Sequence, residues 1–303
     1  MRNFFSTYLA EIVEQQDDIV FITGDLGYAA LEPLAAKMGN RFINAGVAEQ
    51  GMISIAAGMA AQGYRVICYS IAPFVVYRCL EQIRNDACFH NLPVYVVGNG
   101  GGYGYGIMGA SHHAIEDIGT LSCLPNMRCY VPAFTTDLKD CMDEMLARRS
   151  PAYLRLGLGK QMPESLSLTE YGAGSKVSGA AHLTVVAQSP VANNVIAAIA
   201  SSEHKNNIDL FLVNRMPFTQ MPADIKASIA GSGNVLNIEE HVSIGGLGSA
   251  IALLIAENSI NVNSFISLRA EGYPGGLYGN QSYHQQMSGI DEPNILRTIN
   301  TYF

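Results

Sequence analysis

Two carboxylates in this chain sit where an apolar run gives way to glycine, the pattern that puts an acid at the edge of a sheet. Asp25 follows DIVFIT in the turn Thr23-Gly24-Asp25-Leu26-Gly27. Glu49 follows RFIN within AGVAEQGM and leads into the small-residue stretch ISIAAGMAAQG, so it falls in the first turn of a closely packed helix. The helix dipole favours a carboxylate there by about 0.3–1 kcal/mol, and a turn cap accounts equally well for Asp25. Phe74 and Tyr77, at i and i+3 in SIAPFVVYRCLEQIRND, share one helical face; such a face is either core or a receiver for a flat heterocycle. The segment GNGGGYGYGIMGASHH carries seven glycines between Gly98 and Gly109 and ends in His112 and His113. Its GxGxxG match at Gly104, Gly106 and Gly109 does not open a helix directly after a strand, so it does not mark a dinucleotide site. Two adjacent histidines without further ligands at metal spacing point to structure before metal. Glu239, Glu240 and His241 precede IGGLGSAIALLIAE, either an anion-binding helix start or close packing, of which packing is the expectation.

The elements that must position these residues alternate between β-type and helical stretches. Strands are expected over 18–25, 41–45, 65–71, 93–98, 127–132 and 152–157, with helices over 3–15, 31–38, 48–62, 73–90, 114–124 and 135–148. Residues 156–181 lose this periodicity and gain Gly, Ser and Pro. A second alternating region has strands near 183–188, 208–213, 234–239 and 264–269 and helices near 191–203, 245–258 and 291–301. The reading is an α/β chain with a domain over 1–160, a linker over 161–181 and a smaller α/β domain over 182–303. In such sheets ligands collect at the carboxyl ends of the strands, where Asp25, Glu49, Phe74 and the glycine segment fall.

A chain of 303 residues with 49% hydrophobic and 15% charged residues is globular and long enough for two cores. The 18 basic and 26 acidic residues give a net charge of −8, and the cations are scattered, so nucleic acid is not an expected partner. The N-terminus turns polar too soon for a signal peptide, and no apolar run reaches membrane-spanning length, which leads to a cytoplasmic expectation without a membrane partner. Cys68, Cys79, Cys88, Cys123, Cys129 and Cys141 form no C-x-x-C pair and are expected to be buried thiols. A mean hydropathy of +0.15 suggests further surface buried in an oligomer.

In order and spacing, GDLG, RFINAGVAEQGMISIAAGMAAQG, YSIAPFVVYRCLEQIRNDACFHNLPV, GASHHAIEDIGTLSCLPNMRCYVPA, SPAYLRLG and NIEEHVSIGGLGSA resemble the C-terminal half of transketolase across essentially the whole chain. Two-gene transketolases, 1-deoxyxylulose-5-phosphate synthases and 2-oxoacid dehydrogenase beta subunits share this arrangement. The resemblance implies a thiamine-diphosphate-binding fold, with a pyrimidine-binding domain followed by the transketolase C-terminal domain. It implies that Glu49 hydrogen-bonds N1′ of the thiamine aminopyrimidine, that Phe74 and Tyr77 hold that ring, and that Asp25 lies near the cofactor. It makes His112 the substrate-channel histidine of a G-x-T-H motif, with Ser111 in place of threonine, and assigns Arg155 to the substrate. The family's diphosphate motif has no counterpart here. Thiamine diphosphate would therefore be held through Mg²⁺ by an N-terminal partner subunit, around a homodimer of this chain, in a heterotetramer acting on sugars.

Two departures bear on the substrate: Met108 and Gly100 stand where the family carries polar side chains, and Leu158 replaces a second arginine near the substrate phosphate, with Lys160 placed differently. The implied activity is transfer of a two-carbon ketol unit from a ketose to an aldose. The alternatives are acyl or acetaldehyde transfer from a 2-oxo acid and a non-catalytic assembly subunit.

Overall fold

The computed structural model describes residues 1–177, 179–273, 276 and 278–303. The first sheet is built from β1 (Ile19–Thr23), β2 (Phe42–Asn44), β3 (Arg65–Ile71), β4 (Val94–Asn99), β5 (Arg128–Tyr130) and β6 (Ala152–Leu156), all parallel, in the order β5-β6-β4-β3-β1-β2. Residues of β1, β4 and β6 are buried on both faces almost throughout, as the near-continuous apolar runs of a helix-covered parallel sheet require. Helices Arg2–Ile12, Glu32–Met38 and Thr135–Arg148 pack through Leu9, Leu34 and Leu138 on one side. The small-residue helix Glu49–Ala61 packs through Met52, Ile53 and Ala56 on the other.

Four sequence expectations need correction. The linker assigned to 161–181 carries β7 (Ser167–Thr169) and β8 (Gly172–Ser175), an antiparallel pair that joins the second sheet; Ser178 lies outside the described residues. That sheet runs β13-β12-β9-β10-β8-β7, with β9 (Leu183–Ala187), β10 (Ile208–Val213), β12 (Asn234–Ile238) and β13 (Ser264–Leu268) parallel. Past β10 the chain returns to the first sheet, where β11 (Arg215–Met216) pairs antiparallel with β5. The expected helix over 73–90 is three pieces: Ala72–Tyr77, Leu80–Gln82 and a π-helical turn Ile83–Cys88. Among the cysteines, Cys123 is exposed, because it ends a short helix on the surface, while the other five are buried.

One apolar cluster links both halves, running from Val66 and Val94 of the first sheet through Ile118 and Leu247 to Val186 and Phe211 of the second. No described helix is long and apolar enough to cross a membrane.

Candidate active site

Glu49 opens its helix from the short connection after β2, and its side chain is 1% exposed. Its Oε1 accepts a hydrogen bond from Ser70 Oγ at the end of β3 (3.0 Å), and its Oε2 accepts one from Arg78 Nη1 (2.6 Å). Gly24 explains how β1 comes so close: a Cβ there would stand 3.3 Å from Ser70 Oγ and 3.5 Å from Glu49 Cγ. A side chain at position 24 would therefore crowd the Ser70 hydroxyl that holds this carboxylate and only touch the Glu49 stem, a reason for glycine that needs no unusual backbone angle.

Phe74 is half-buried on the helix that follows β3, where Pro73 in the first turn costs no hydrogen bond. The His112 ring meets it edge-on at 5.0 Å, and the Arg78 guanidinium lies over it at 4.8 Å. Tyr77, one turn on, donates its hydroxyl to Glu116 Oε2 (2.8 Å) and accepts from the Glu116 backbone N–H (3.2 Å). Burial first, then the Asp117 and Glu116 carboxylates, push the Tyr77 phenol well above its ordinary range, so it stays a neutral donor. Tyr273 donates to the other oxygen of Glu116 (3.0 Å), tying a C-terminal loop to this wall. His112 Nδ1 lies 3.1 Å from Ser111 Oγ.

Glu49, Phe74 and His112 are thus brought together, with Tyr77 alongside. Asp25 stands apart, exposed in a left-handed turn (φ 59°), where it accepts from Asn44 Nδ2 (2.8 Å). It lines a shallow cavity of about 210 Å³ with Tyr28 and Asn44.

The assignment of Arg155 to the substrate is corrected by its position. It is 3% exposed and lies beneath the glycine segment. Its Nη2 donates to the Ala114 and Glu240 carbonyls (2.6 and 3.2 Å), and its Nε stands 3.2 Å from Asp117 Oδ2, which also accepts from Tyr153 (2.7 Å). A Cβ at Gly101 would collide with the Arg155 guanidinium, and one at Gly102 with Glu240. These glycines fit the loop over a buried ionic layer. Glu240 itself accepts from the Tyr103 backbone N–H (2.6 Å), Gln281 (2.8 Å) and Gln285 (2.5 Å). Glu239 accepts from the Leu247 and Gly248 N–H groups (2.7 and 2.8 Å), so the anion at the start of the helix Leu247–Glu257 is the protein's own side chain.

Two cavities at the carboxyl ends of β3, β4 and β6 were not foreseen. One of about 250 Å³ is lined by Asn99, Gly100, Tyr105, Leu158 and Gln281, and a neighbour of about 220 Å³ by Leu26, Tyr69 and Asn99; Arg2 lines both. An arginine at position 2 carries no spacing signal, because its strand-end location arises only when the first helix packs against the sheet. Tyr105 fills the space a side chain at position 100 would take. Among the described residues no three His, Cys, Asp or Glu side chains stand together as metal ligands.

A buried carboxylate beside a half-buried aromatic ring, gathered from several strand ends of a parallel sheet, defines a strand-end α/β binding protein. The chain belongs to the transketolase family: residues 1–161 match the model described as transketolase, pyrimidine binding domain. It is similar to one subunit of an apulose-4-phosphate transketolase of Actinobacillus succinogenes, 28% identical over 98% of this chain and 96% of that protein. A protein of Methanocaldococcus jannaschii named as a transketolase C-terminal section is 31% identical over 86% of this chain and 83% of its own length. A 1-deoxy-D-xylulose-5-phosphate synthase 2 of Geobacter sulfurreducens matches at 28% identity, and there the chain spans 48% of the relative. Among solved structures, a split gene transketolase described as an inactive beta4 tetramer superposes with a TM-score of 0.82 at 25% identity, over 99% of this chain and 97% of that one.

Proposed function

We propose that this chain is the pyrimidine-side subunit of a split, thiamine-diphosphate-dependent transketolase that moves a two-carbon ketol unit from a ketose to an aldose. The observation that carries the reading is the pairing of a 1%-exposed carboxylate, Glu49, with the half-buried ring of Phe74. The residues fit the aminopyrimidine: a planar, N–H-bearing group, the Arg78 guanidinium, already lies on Phe74 while hydrogen-bonding Glu49. When bound, thiamine diphosphate supplies a nucleophilic carbon that carries the transferred unit.

The chain's own residues have four tasks. Glu49 shares a proton with N1′ of the ring, an exchange helped by the exclusion of water around a buried carboxylate. Phe74 gives the ring a stacking surface, with Tyr77 bracing the wall through Glu116. His112, edge-on to Phe74, stands where it can donate to a substrate oxygen. Asp25, 19 residues from its partner Asn44, shapes the outer rim.

Arg2, which lines both strand-end cavities, is a cation available to an anionic sugar end where Leu158 replaces the family's second arginine. The diphosphate and Mg²⁺ fall to an N-terminal partner subunit, consistent with relatives named as one subunit of a transketolase and as a transketolase C-terminal section. The complex is read as a heterotetramer around a homodimer of this chain. Met108 and Leu158, exposed and apolar, keep open a second reading with a 2-oxo acid donor.

The test is Glu49→Gln in the enzyme reconstituted with its partner, assayed with ketose and 2-oxo acid donors. Assembly should persist while turnover falls by roughly 10²-fold or more. Undiminished turnover would refute the role of Glu49, and activity with the 2-oxo acid alone would select the second reading.

A further inference from the structure

Arg78 does two things at one place. Its Nη1 donates to Glu49 Oε2 at 2.6 Å, and its guanidinium carbon stands 4.8 Å from the centre of the Phe74 ring. These are the two surfaces assigned above to the aminopyrimidine. We infer that Arg78 is a displaceable stand-in for that ring, holding Glu49 and Phe74 in the cofactor-free chain and leaving when the cofactor loads. The inference rests on the proposed roles of Glu49 and Phe74.

Burial of the carboxylate makes a stand-in necessary. Ser70 serves only Oε1, so without Arg78 the second oxygen of a side chain that is 1% exposed would lack a partner. An unpaired buried charge is among the more costly defects a fold can carry. A guanidinium suits the vacancy because it is flat, presents N–H donors along one edge and stacks on aromatic faces. The aminopyrimidine is likewise flat and stacks on aromatic faces, and it turns an N–H toward the carboxylate when N1′ holds the shared proton.

Departure is inexpensive for the same residue. Arg78 is 42% exposed in its side chain, it follows directly on the helix Ala72–Tyr77, and Glu49 is its one side-chain hydrogen-bond partner among the described residues. Its head can move into water while its backbone stays in place. Arg155 makes the contrast: at 3% exposure and tied to Asp117 and two carbonyls, it has nowhere to go.

The experiment uses the full chain alone and the probe 4-amino-5-hydroxymethyl-2-methylpyrimidine, which needs neither diphosphate nor metal. Parent, Arg78→Met, Arg78→Ala, Glu49→Gln and the Arg78→Met/Glu49→Gln double variant are compared by ligand-observed NMR titration and by thermal midpoint. Arg78→Met keeps the stem and so guards against a folding defect in Arg78→Ala. Both single arginine variants should bind the probe at least about threefold tighter than the parent, the release of a half-exposed ion pair setting the lower bound and the re-pairing of a buried carboxylate adding to it, and Glu49→Gln should abolish the gain. Midpoints should be non-additive, the double variant falling no lower than the worse single variant.

Equal or weaker binding by both arginine variants would overturn the inference and make Arg78 a cofactor contact. Additive midpoints would overturn it by removing the Arg78–Glu49 contact, with the proposed function intact. Non-additive midpoints with no probe binding by any variant would instead overturn the pyrimidine role of Glu49 and Phe74, and the inference with it.

Discussion

Phe74 is the residue at which a stacking role separates from a core role. Its ring is only half-buried, set T-shaped to His112 and lying under a guanidinium, so its removal leaves the sheet's core intact. Phe74→Ala should weaken thiamine diphosphate binding in the reconstituted enzyme by about 0.5–1.5 kcal/mol beyond the lost area, or roughly 2- to 12-fold, with little change in denaturant midpoint. Calorimetric titration reads the first and urea unfolding the second; an unchanged affinity with a large loss of stability would return the ring to the core. Glu49, Phe74 and His112 drew attention in the sequence because each lies beside a strand end, but their residue types fit a structural role equally well, and only the family resemblance suggested a shared site. Arg78 did not, since an arginine on a helix ordinarily reads as a solvated side chain. Arg155 was misread for the opposite reason. It lies inside the apolar strand AYLRL, and a charge there demands a buried partner, which Asp117 supplies from 38 positions away by sequence number, beyond the reach of local pattern.

At the scale of elements, the glycine segment looks like a ligand loop and is, at Gly101 and Gly102, a packing device. Gly101 lies outside the left-handed region, so alanine there is opposed by collision with the Arg155 guanidinium and not by backbone strain. Gly101→Ala should cost about 1–3 kcal/mol, the scale of overpacking a filled interior, and should disturb the loop that carries His112. Gly231 provides the control: it lies within the helix Ala223–Ser232 with nothing near its missing Cβ, so Gly231→Ala should gain roughly 0.5–1 kcal/mol. Urea midpoints measure both, and equal effects would show that the loop yields without disturbing Arg155. The long apolar strands and the helix Thr135–Arg148 were readable from periodicity, and the helix Glu49–Ala61 from its run of small and apolar residues. The hairpin of β7 and β8 was not, because strands of 3 and 4 residues rich in Ser and Gly carry too few alternations to stand out. The helix Ala223–Ser232 escaped as well, its small and polar residues giving no clear apolar stripe.

Across the whole molecule, the two halves meet at a pair of buried histidines, and this joint makes stability depend on pH. His113, from the glycine-loop side, and His284, from the helix Gln281–Met287, have ring centres 4.7 Å apart, and neither ring has a hydrogen-bond partner among the described residues. Tyr103 stacks on His284 and meets His113 edge-on, Tyr273 stacks on His113, and Glu240 lies behind Tyr103. Burial first, then the neighbouring His284, push the His113 imidazole down to about 4 from its ordinary 6.5. The unfolded chain therefore binds the proton that the folded chain refuses between those values, and stability falls as the solution is acidified from pH 6.5 toward 4. The slope from one such group is about 1.4 kcal/mol per pH unit, flattening below 4, where the folded state takes up the proton too. Buried Glu239 and Glu240, whose carboxyls burial raises, contribute with the opposite sign, so the parent's total slope mixes these groups. A difference isolates the histidine: His113→Phe keeps a ring between Tyr103 and Tyr273 but removes the titration. Its unfolding free energy should fall less steeply than the parent's between pH 6.5 and 4.5, by about 1–3 kcal/mol over the interval, with the two curves parallel above pH 7.5. Urea unfolding at half-unit pH steps makes the comparison, and parallel curves throughout would mean that His113 is not the group that ties the joint between the halves to acidity.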